Sequence, residues 1–231
     1  MMMEIGDKFF GMCMSFRILK KRHLEMLLEG VPDYVSPRAI LEQYKTPASI
    51  AADVLWFAYN LGDIRGRCVM DLACGTGIFA IGAAILGAGK VFGVDIDREA
   101  LRVAEEAAEQ MGLADRIQFI EGDIRDDSIL GLSGLKIDTL IQNPPFGSQR
   151  RVKRGADRLF IERSLEISRV VYSFHMLGSE DFVKRYFKKI GGEITHRLYY
   201  KFPIPRIYEF HRDDVKIVDV VVFRVVRVGV S

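Results

Sequence analysis

Between residues 68 and 190 the sequence repeatedly changes its hydrophobic period, and this alternation most narrows the folds open to the chain. Apolar runs of strand length at 68–73, 91–96, 117–120, 137–142 and 170–174 are separated by helical spacing at 76–86, 97–111, 159–167 and 179–190. Strands that follow one another through helices pair in parallel and are covered on both faces, so the pattern predicts an α/β fold with a mostly parallel sheet. The ending breaks the rhythm. Residues 193–202 and 216–227 read as two long strands joined by a proline-rich turn, which should pair antiparallel at one edge. Upstream, Phe16, Leu19, Leu24, Leu27 and Leu28 mark an amphipathic helix over 15–29, stopped by Gly30 and Pro32. A second helix runs from Pro47, with Thr46 placed to cap it, to about Leu61. No repeat or linker interrupts the chain, which reads as one domain over 1–231: an N-terminal helical extension (1–62) and a core (63–231).

With 231 residues, 49% of them apolar, the chain can bury one large core. Its formal net charge is only +2, so any attraction to nucleic acid must come from local clusters. The cysteines Cys13, Cys68 and Cys74 are odd in number and form no C-x-x-C pair, which points to a reducing, cytoplasmic setting. The four histidines lie far apart, without metal-ligand spacing, and no metal site is expected. The uncharged run 72–89 is nominally long enough to cross a bilayer. It carries five glycines and starts beside Asp71, so it reads as strand, loop and helix of a core, with no membrane span.

Asp71-Leu72-Ala73-Cys74-Gly75-Thr76-Gly77 follows a strand and opens a helix. Glycines there let the backbone pass close under a ligand, and the helix start offers unpaired N–H groups. Asp95, twenty residues beyond Gly75, ends the next strand, where a carboxylate can accept from both hydroxyls of a ribose. Gly75-Thr76-Gly77-Ile78-Phe79-Ala80 also satisfies a dinucleotide pattern, so a nicotinamide or flavin enzyme competes. Two features weigh against it. Asp123 follows the third strand, where it can accept from an adenine amino group, and the fourth strand ends in Asn143-Pro144-Pro145-Phe146, which hydride transfer does not need.

Two prolines directly after a buried strand cannot donate to the sheet, and they fix the backbone. The Asn143 side-chain oxygen and the Pro144 carbonyl can then converge on the two N–H groups of a planar exocyclic amine. Phe146 offers a face for a splayed-out base. Cys74 reads as a space-filler, and His175, closing the fifth strand, as a structural histidine. Beyond the tetrapeptide, Arg150, Arg151, Lys153, Arg154 and Arg158 face only Asp157, a basic run placed to meet nucleic-acid phosphates.

In combination, the glycine loop, Asp95 and Asn143 to Phe146 make the chain resemble the class I S-adenosylmethionine-dependent amino-methyltransferases, with a Rossmann-like fold. The segments Leu41-Glu42-Gln43-Tyr44-x-Thr46, Leu86-Gly87-Ala88-Gly89 and Phe146-Gly147-Ser148 resemble the archaeal and eukaryotic methyltransferase-like family five. The resemblance implies a seven-stranded sheet of order 3-2-1-4-5-7-6 with strand seven antiparallel. It implies N6-methylation of an adenosine in small-subunit ribosomal RNA, and S-adenosylmethionine as cofactor. Asn143, Pro144, Pro145 and Phe146 would be catalytic. Gln43, Thr46, Asp71, Ala73, Gly75, Thr76, Gly77, Ile78, Asp95, Ile96, Asp123, Ile124 and Asn143 would surround the cofactor. It also implies RNA and a small zinc-binding activator protein as partners. Ala73 departs from the superfamily, which usually has its first glycine there. Guanine N2, DNA adenine and a protein glutamine amide suit the same tetrapeptide and stay open as acceptors. A non-catalytic RNA-binding assembly factor is the competing class.

Overall fold

A central strand with parallel neighbours on both sides organises the molecule, seen here in a computed structural model that describes residues 20–126, 136–145, 156–205 and 215–228. The strands are β1 (Cys68–Leu72), β2 (Lys90–Asp95), β3 (Ile117–Glu121), β4 (Ile137–Gln142), β5 (Ser168–Met176), β6 (Gly192–Pro205) and β7 (Val215–Arg227), in sheet order β3-β2-β1-β4-β5-β7-β6. The first five pair in parallel, and β7 runs antiparallel to both β5 and β6. The expected antiparallel pair therefore lies at one edge, but the C-terminal strand is not the edge itself. In β7, Val220, Val221, Val222, Phe223 and Val225 are buried on both faces, which suits an interior position. β6 exposes Glu193, Arg197, Tyr199 and Lys201, which suits the edge.

The helices described are α1 (Lys21–Glu29), α2 (Ala48–Asn60), α3 (Ile78–Ile85), α4 (Arg98–Gln110), α5 (Ala156–Ile167) and α6 (Glu180–Lys189). The first five residues (15–19) of the helix expected over 15–29 lie outside the described residues. Leu24 and Leu28 of α1 and Val54, Leu55 and Ala58 of α2 join Ile81 of α3 and Phe174, Phe202 and Val220 of the sheet in one core. The opposite face buries Met70, Leu72 and Phe92 against Ile161 and Leu165 of α5 and Val183 and Phe187 of α6. The extension thus shares its core with the sheet. Gly82 of α3 lets it come close, since a Cβ there would lie 2.3 Å from Leu55. Among the described residues no helix is long and apolar enough to cross a membrane.

The C-terminal strand is tied back to the start of the core by one acidic residue. Arg224 of β7 donates Nε and Nη2 to the Asp63 carboxylate at 2.8 and 3.1 Å, and the Tyr172 hydroxyl of β5 donates to it at 2.6 Å. Thr139 of β4 donates to the Asp63 carbonyl at 2.6 Å. Asp63 raises the Arg224 pKa, while burial first, then Asp63, raises that of Tyr172. Removing one partner of such a pair leaves the other charge buried and unsatisfied. Asp63→Ala is therefore expected to cost about 3 kcal/mol, read as a shift of the urea midpoint at constant m-value. A loss within experimental error would refute the clamp.

Candidate active site

The parallel register decides which side chains meet. Leu72, the last residue of β1, pairs with Val94 of β2 on one side and with Gln142 of β4 on the other. Ala73, Asp95 and Asn143 are the next residues along their chains, so they emerge side by side where strands sit about 4.8 Å apart. The glycine loop, the Asp95 carboxylate and the Asn-Pro-Pro segment are thereby brought to one end of the sheet.

Asp95 holds the two loops together. Its Oδ2 accepts from the Gly75 N–H at 2.7 Å and its Oδ1 from the Asp97 N–H at 2.9 Å. Each oxygen keeps a further lone pair for a diol. Burial, with the charge of Asp97 adding, raises its pKa. Asp97 caps α4 by accepting from the Glu99 N–H at 3.1 Å. Asp71 is almost wholly buried. Its Oδ2 accepts from the Ala80 N–H at 2.9 Å, while Oδ1 is buried without a hydrogen-bond partner. Burial, reinforced by Asp95, pushes its pKa up to about 8. Cys74 and Thr76 are buried in the loop, Gly77 caps α3, and Ile78 is buried at its first position. The Cys74 thiol, whose pKa burial raises, packs as a filler.

Ala73 was expected to fit strand geometry; instead it lies in the left-handed region at φ +58°. That is why a glycine is at home at this position, and alanine carries about 1 kcal/mol of strain there. Ile96, 44% exposed just past β2, presents an apolar face suited to a base, with Ile124 half-buried nearby in sequence to Asp123. Asp123 is occupied from one side. Its carboxylate accepts from Arg125 Nε at 2.9 Å, and that bond lowers its pKa. It remains an ionised acceptor.

The N-terminal extension supplies the rest of the wall. Thr46 does not cap its own helix: Pro47 stands at the α2 N-cap, with no side-chain cap bond. The Thr46 Oγ1 instead accepts from Asn143 Nδ2 at 3.0 Å. Gln43 is buried and brackets the extension, accepting from the Arg38 N–H at 2.6 Å and donating to Asp97 Oδ2 at 2.7 Å. Sequence reading missed Tyr34, which stands over the glycine loop. A Cβ on Gly75, at φ +52°, would lie 1.9 Å from its hydroxyl. Burial, then the charge of Asp95, holds the phenol protonated. No period or motif marks Tyr34; its only local signal is its place in the Pro-Asp-Tyr segment after α1.

Asn143 completes the cluster. Its Oδ1 is buried and has no hydrogen-bond partner, while Nδ2 is held by Thr46. Pro144 is buried and Pro145 half-buried behind it. Phe146, Arg150, Arg151, Lys153 and Arg154 lie outside the described residues. Arg158 is described, but its guanidinium stacks over Phe182 at 5.2 Å and Tyr186 at 5.7 Å on α6. That contact, and not an open cleft, occupies it here. His175 is structural. Its Nε2 lies 2.7 Å from Ser173 Oγ, which also accepts from Gln142 Nε2 at 2.9 Å, and burial lowers its pKa to about 3. Among the described residues no group of three His, Cys, Asp or Glu could hold a metal ion.

A glycine loop, a strand-end carboxylate and an Asn-Pro-Pro segment at the switch point of a 3-2-1-4-5-7-6 sheet are the arrangement of a class I methyltransferase. The sequence accordingly matches the family described as a methyltransferase domain over residues 65–183, and the chain belongs to it. Within it, the chain is 34% identical over 198 residues to the rRNA N(6)-adenosine-methyltransferase METTL5 of Danio rerio, spanning 84% of this chain and 92% of that protein. It is 42% identical over 218 residues to the uncharacterized protein MJ0284 of Methanocaldococcus jannaschii, spanning 92% and 96%. Its fold matches the crystal structure of an RNA methyltransferase candidate, PH1948 from Pyrococcus horikoshii, with a TM-score of 0.80 at 36% identity over 91% of this chain and 98% of that one.

S-adenosylmethionine is the cofactor of this class, and the residues present fit it. Asp95 has lone pairs for a ribose and the orphaned Asp71 Oδ1 suits a cationic group, while the backbone at Gly75 is covered by the Tyr34 hydroxyl. Two outcomes test this geometry. Ala73→Gly should relieve the left-handed strain and stabilise by up to about 1 kcal/mol, measured by chemical denaturation; destabilisation would contradict it. For Asp71, the unfolded chain ionises near 3.8 while the folded carboxyl holds its proton to about 8. Stability contributed by this residue therefore falls as pH rises through that window. The melting temperature of Asp71→Asn relative to the parent should climb from pH 5 to pH 8, and a flat difference would show that Asp71 is not buried as described.

Proposed function

We propose that the protein transfers a methyl group from S-adenosylmethionine to the exocyclic N6 amine of an adenosine in ribosomal RNA. The observation that carries this reading is the buried, unpartnered Oδ1 of Asn143. An acceptor desolvated without a partner is costly unless a donor arrives during function. A planar amine brings two donors. Oδ1 takes one N–H and the Pro144 carbonyl the other, which draws the nitrogen lone pair out of conjugation. The name of the Danio rerio relative states rRNA N6-adenosine as its target, and this supports adenine as the base.

Asp95 would hold the ribose of the cofactor, Asp71 would lie toward its cationic end, and Ile96 with Asp123 would hold its base. The cofactor supplies an electrophilic methyl group on a sulfonium. The residues of the chain would hold the amine in position for that methyl group, the sulfonium leaving as a neutral thioether, and such positioning would carry most of the acceleration. A nitrogen that has gained a methyl group is acidic, so its proton leaves to solvent. His175 is no base for it, since burial holds it near 3 and Ser173 occupies its Nε2. Phe146 stacks on the flipped adenine. Arg150, Arg151, Lys153 and Arg154 hold the phosphates around it. We further propose that a small zinc-binding activator pairs with an open sheet edge; the exposed, 14-residue β6 is such an edge.

RNA incubated with labelled cofactor and the protein, then digested to nucleosides, should yield N6-methyladenosine by mass spectrometry. Label in N2-methylguanosine, in DNA or in protein would overturn the assignment. Asn143→Ala should leave cofactor affinity nearly unchanged and cut turnover about 10²-fold, the scale of a lost transition-state contact. Replacing Arg150, Arg151, Lys153 and Arg154 together by Ala should do the reverse. RNA affinity should fall, its salt dependence should flatten, and saturating RNA should restore much of the turnover.

A further inference from the structure

We propose that Thr46 is a positioning residue for the reaction: its hydroxyl holds the Asn143 amide plane so that Oδ1 meets the substrate amine. The proposal rests on the reading of Asn143 as the amine acceptor.

The argument starts from a hydroxyl used against local preference. A threonine immediately before a helix ordinarily bonds the free N–H groups of that helix. Thr46 makes no such cap bond, and its hydroxyl is spent 97 residues away on Asn143. Its backbone is stiff, because the residue before a proline is confined to extended conformations, and Pro47 follows. Its side chain is stiff as well, being β-branched. The residue is 5% exposed, with Pro47 to Ala51 closing the first turn of α2 beside it. A rigid oxygen is therefore presented to Asn143 at 3.0 Å.

Asparagine needs such a partner. Its last torsion ends at a planar amide and is broad, so the side chain alone does not fix where its oxygen points. Of its four polar directions, one of the two on Nδ2 is engaged by Thr46, and Oδ1, at the other end of the same planar amide, stays buried and unpartnered. Nothing else among the described residues bonds this amide. Loss of the Thr46 oxygen would let the amide rotate away from the line of transfer, and a misplacement of that size can cost one to two powers of ten in rate.

The role also gives the extension a function. Gln43 bonds Asp97, which caps α4 beside Asp95, while Thr46 three residues on bonds Asn143. One short segment thus touches the structural support of the cofactor carboxylate and the catalytic amide.

The test uses the full chain with RNA and cofactor both saturating, so that changes in cofactor affinity drop out of the rate. Thr46→Val keeps the shape and removes the acceptor; its kcat should fall about 10-fold or more. Thr46→Ser restores the oxygen and should stay within about threefold of the parent. In an Asn143→Ala background, Thr46→Val should have no further effect on kcat, because its only route of action is gone. Thermal melting of each variant is read alongside. A kcat loss of equal size with and without Asn143 would overturn the proposal, as would unchanged kcat with only a raised cofactor dissociation constant. If Asn143→Ala alone retains turnover, the amine-acceptor reading itself has failed, which is a different result from normal turnover in Thr46→Val.

Discussion

Everything functional in this protein hangs on the parallel pairing of β1 with β2 on one side and β4 on the other. Because Leu72 is level with both Val94 and Gln142, three chains leave the sheet at the same height and in the same direction. A ligand can then be held by loops that are far apart in sequence, in the crevice that forms where strand order reverses. Had β4 run antiparallel, Asn143 would sit at the opposite end from Asp95, and neither motif could serve the other.

The cost of that arrangement is polar groups in a dry place. Asp71 and Asp95 are both raised in pKa by burial, and Asp71 keeps one oxygen without a partner. Asn143 keeps another. Such groups are tolerated in native structures where a ligand or substrate completes them. His175 shows the contrast. It is as deeply buried, but Ser173 satisfies it and aromatic rings of Phe187 and Phe223 pack round it, so nothing about it asks for a ligand.

The two ends of the chain act as clamps on this frame. The N-terminal segment lays Tyr34, Gln43 and Thr46 along the mouth of the site, anchored by the packing of α1 and α2 on α3. At the opposite end of the strands, Arg224 of β7 grips Asp63 just ahead of β1. Antiparallel insertion of β7 between β5 and β6 makes this possible, since it carries Arg224 back alongside Tyr172.

Read alone, the chain disclosed what short-range chemistry dictates. Switching between strand and helix periods gave the order of elements, and the glycine loop, Asp95 and Asn143-Pro144 each carried a local reason for their residue types. The family resemblance supplied the strand order. Local rules failed where a side chain had two possible partners. Thr46 looked like a cap because a cap lies within its own turn, yet it bonds a residue 97 positions on. Gln43 reaches 54 positions to Asp97, and Tyr34 meets Gly75 with no pattern to announce it. Ala73 read as strand because its left-handed backbone leaves no trace in composition. Periodicity records which face of an element is buried, but not what that face is buried against. The sequence therefore determined the elements and their chemistry, while only the packed structure decided which distant groups meet, because that depends on helices and strands docking in three dimensions.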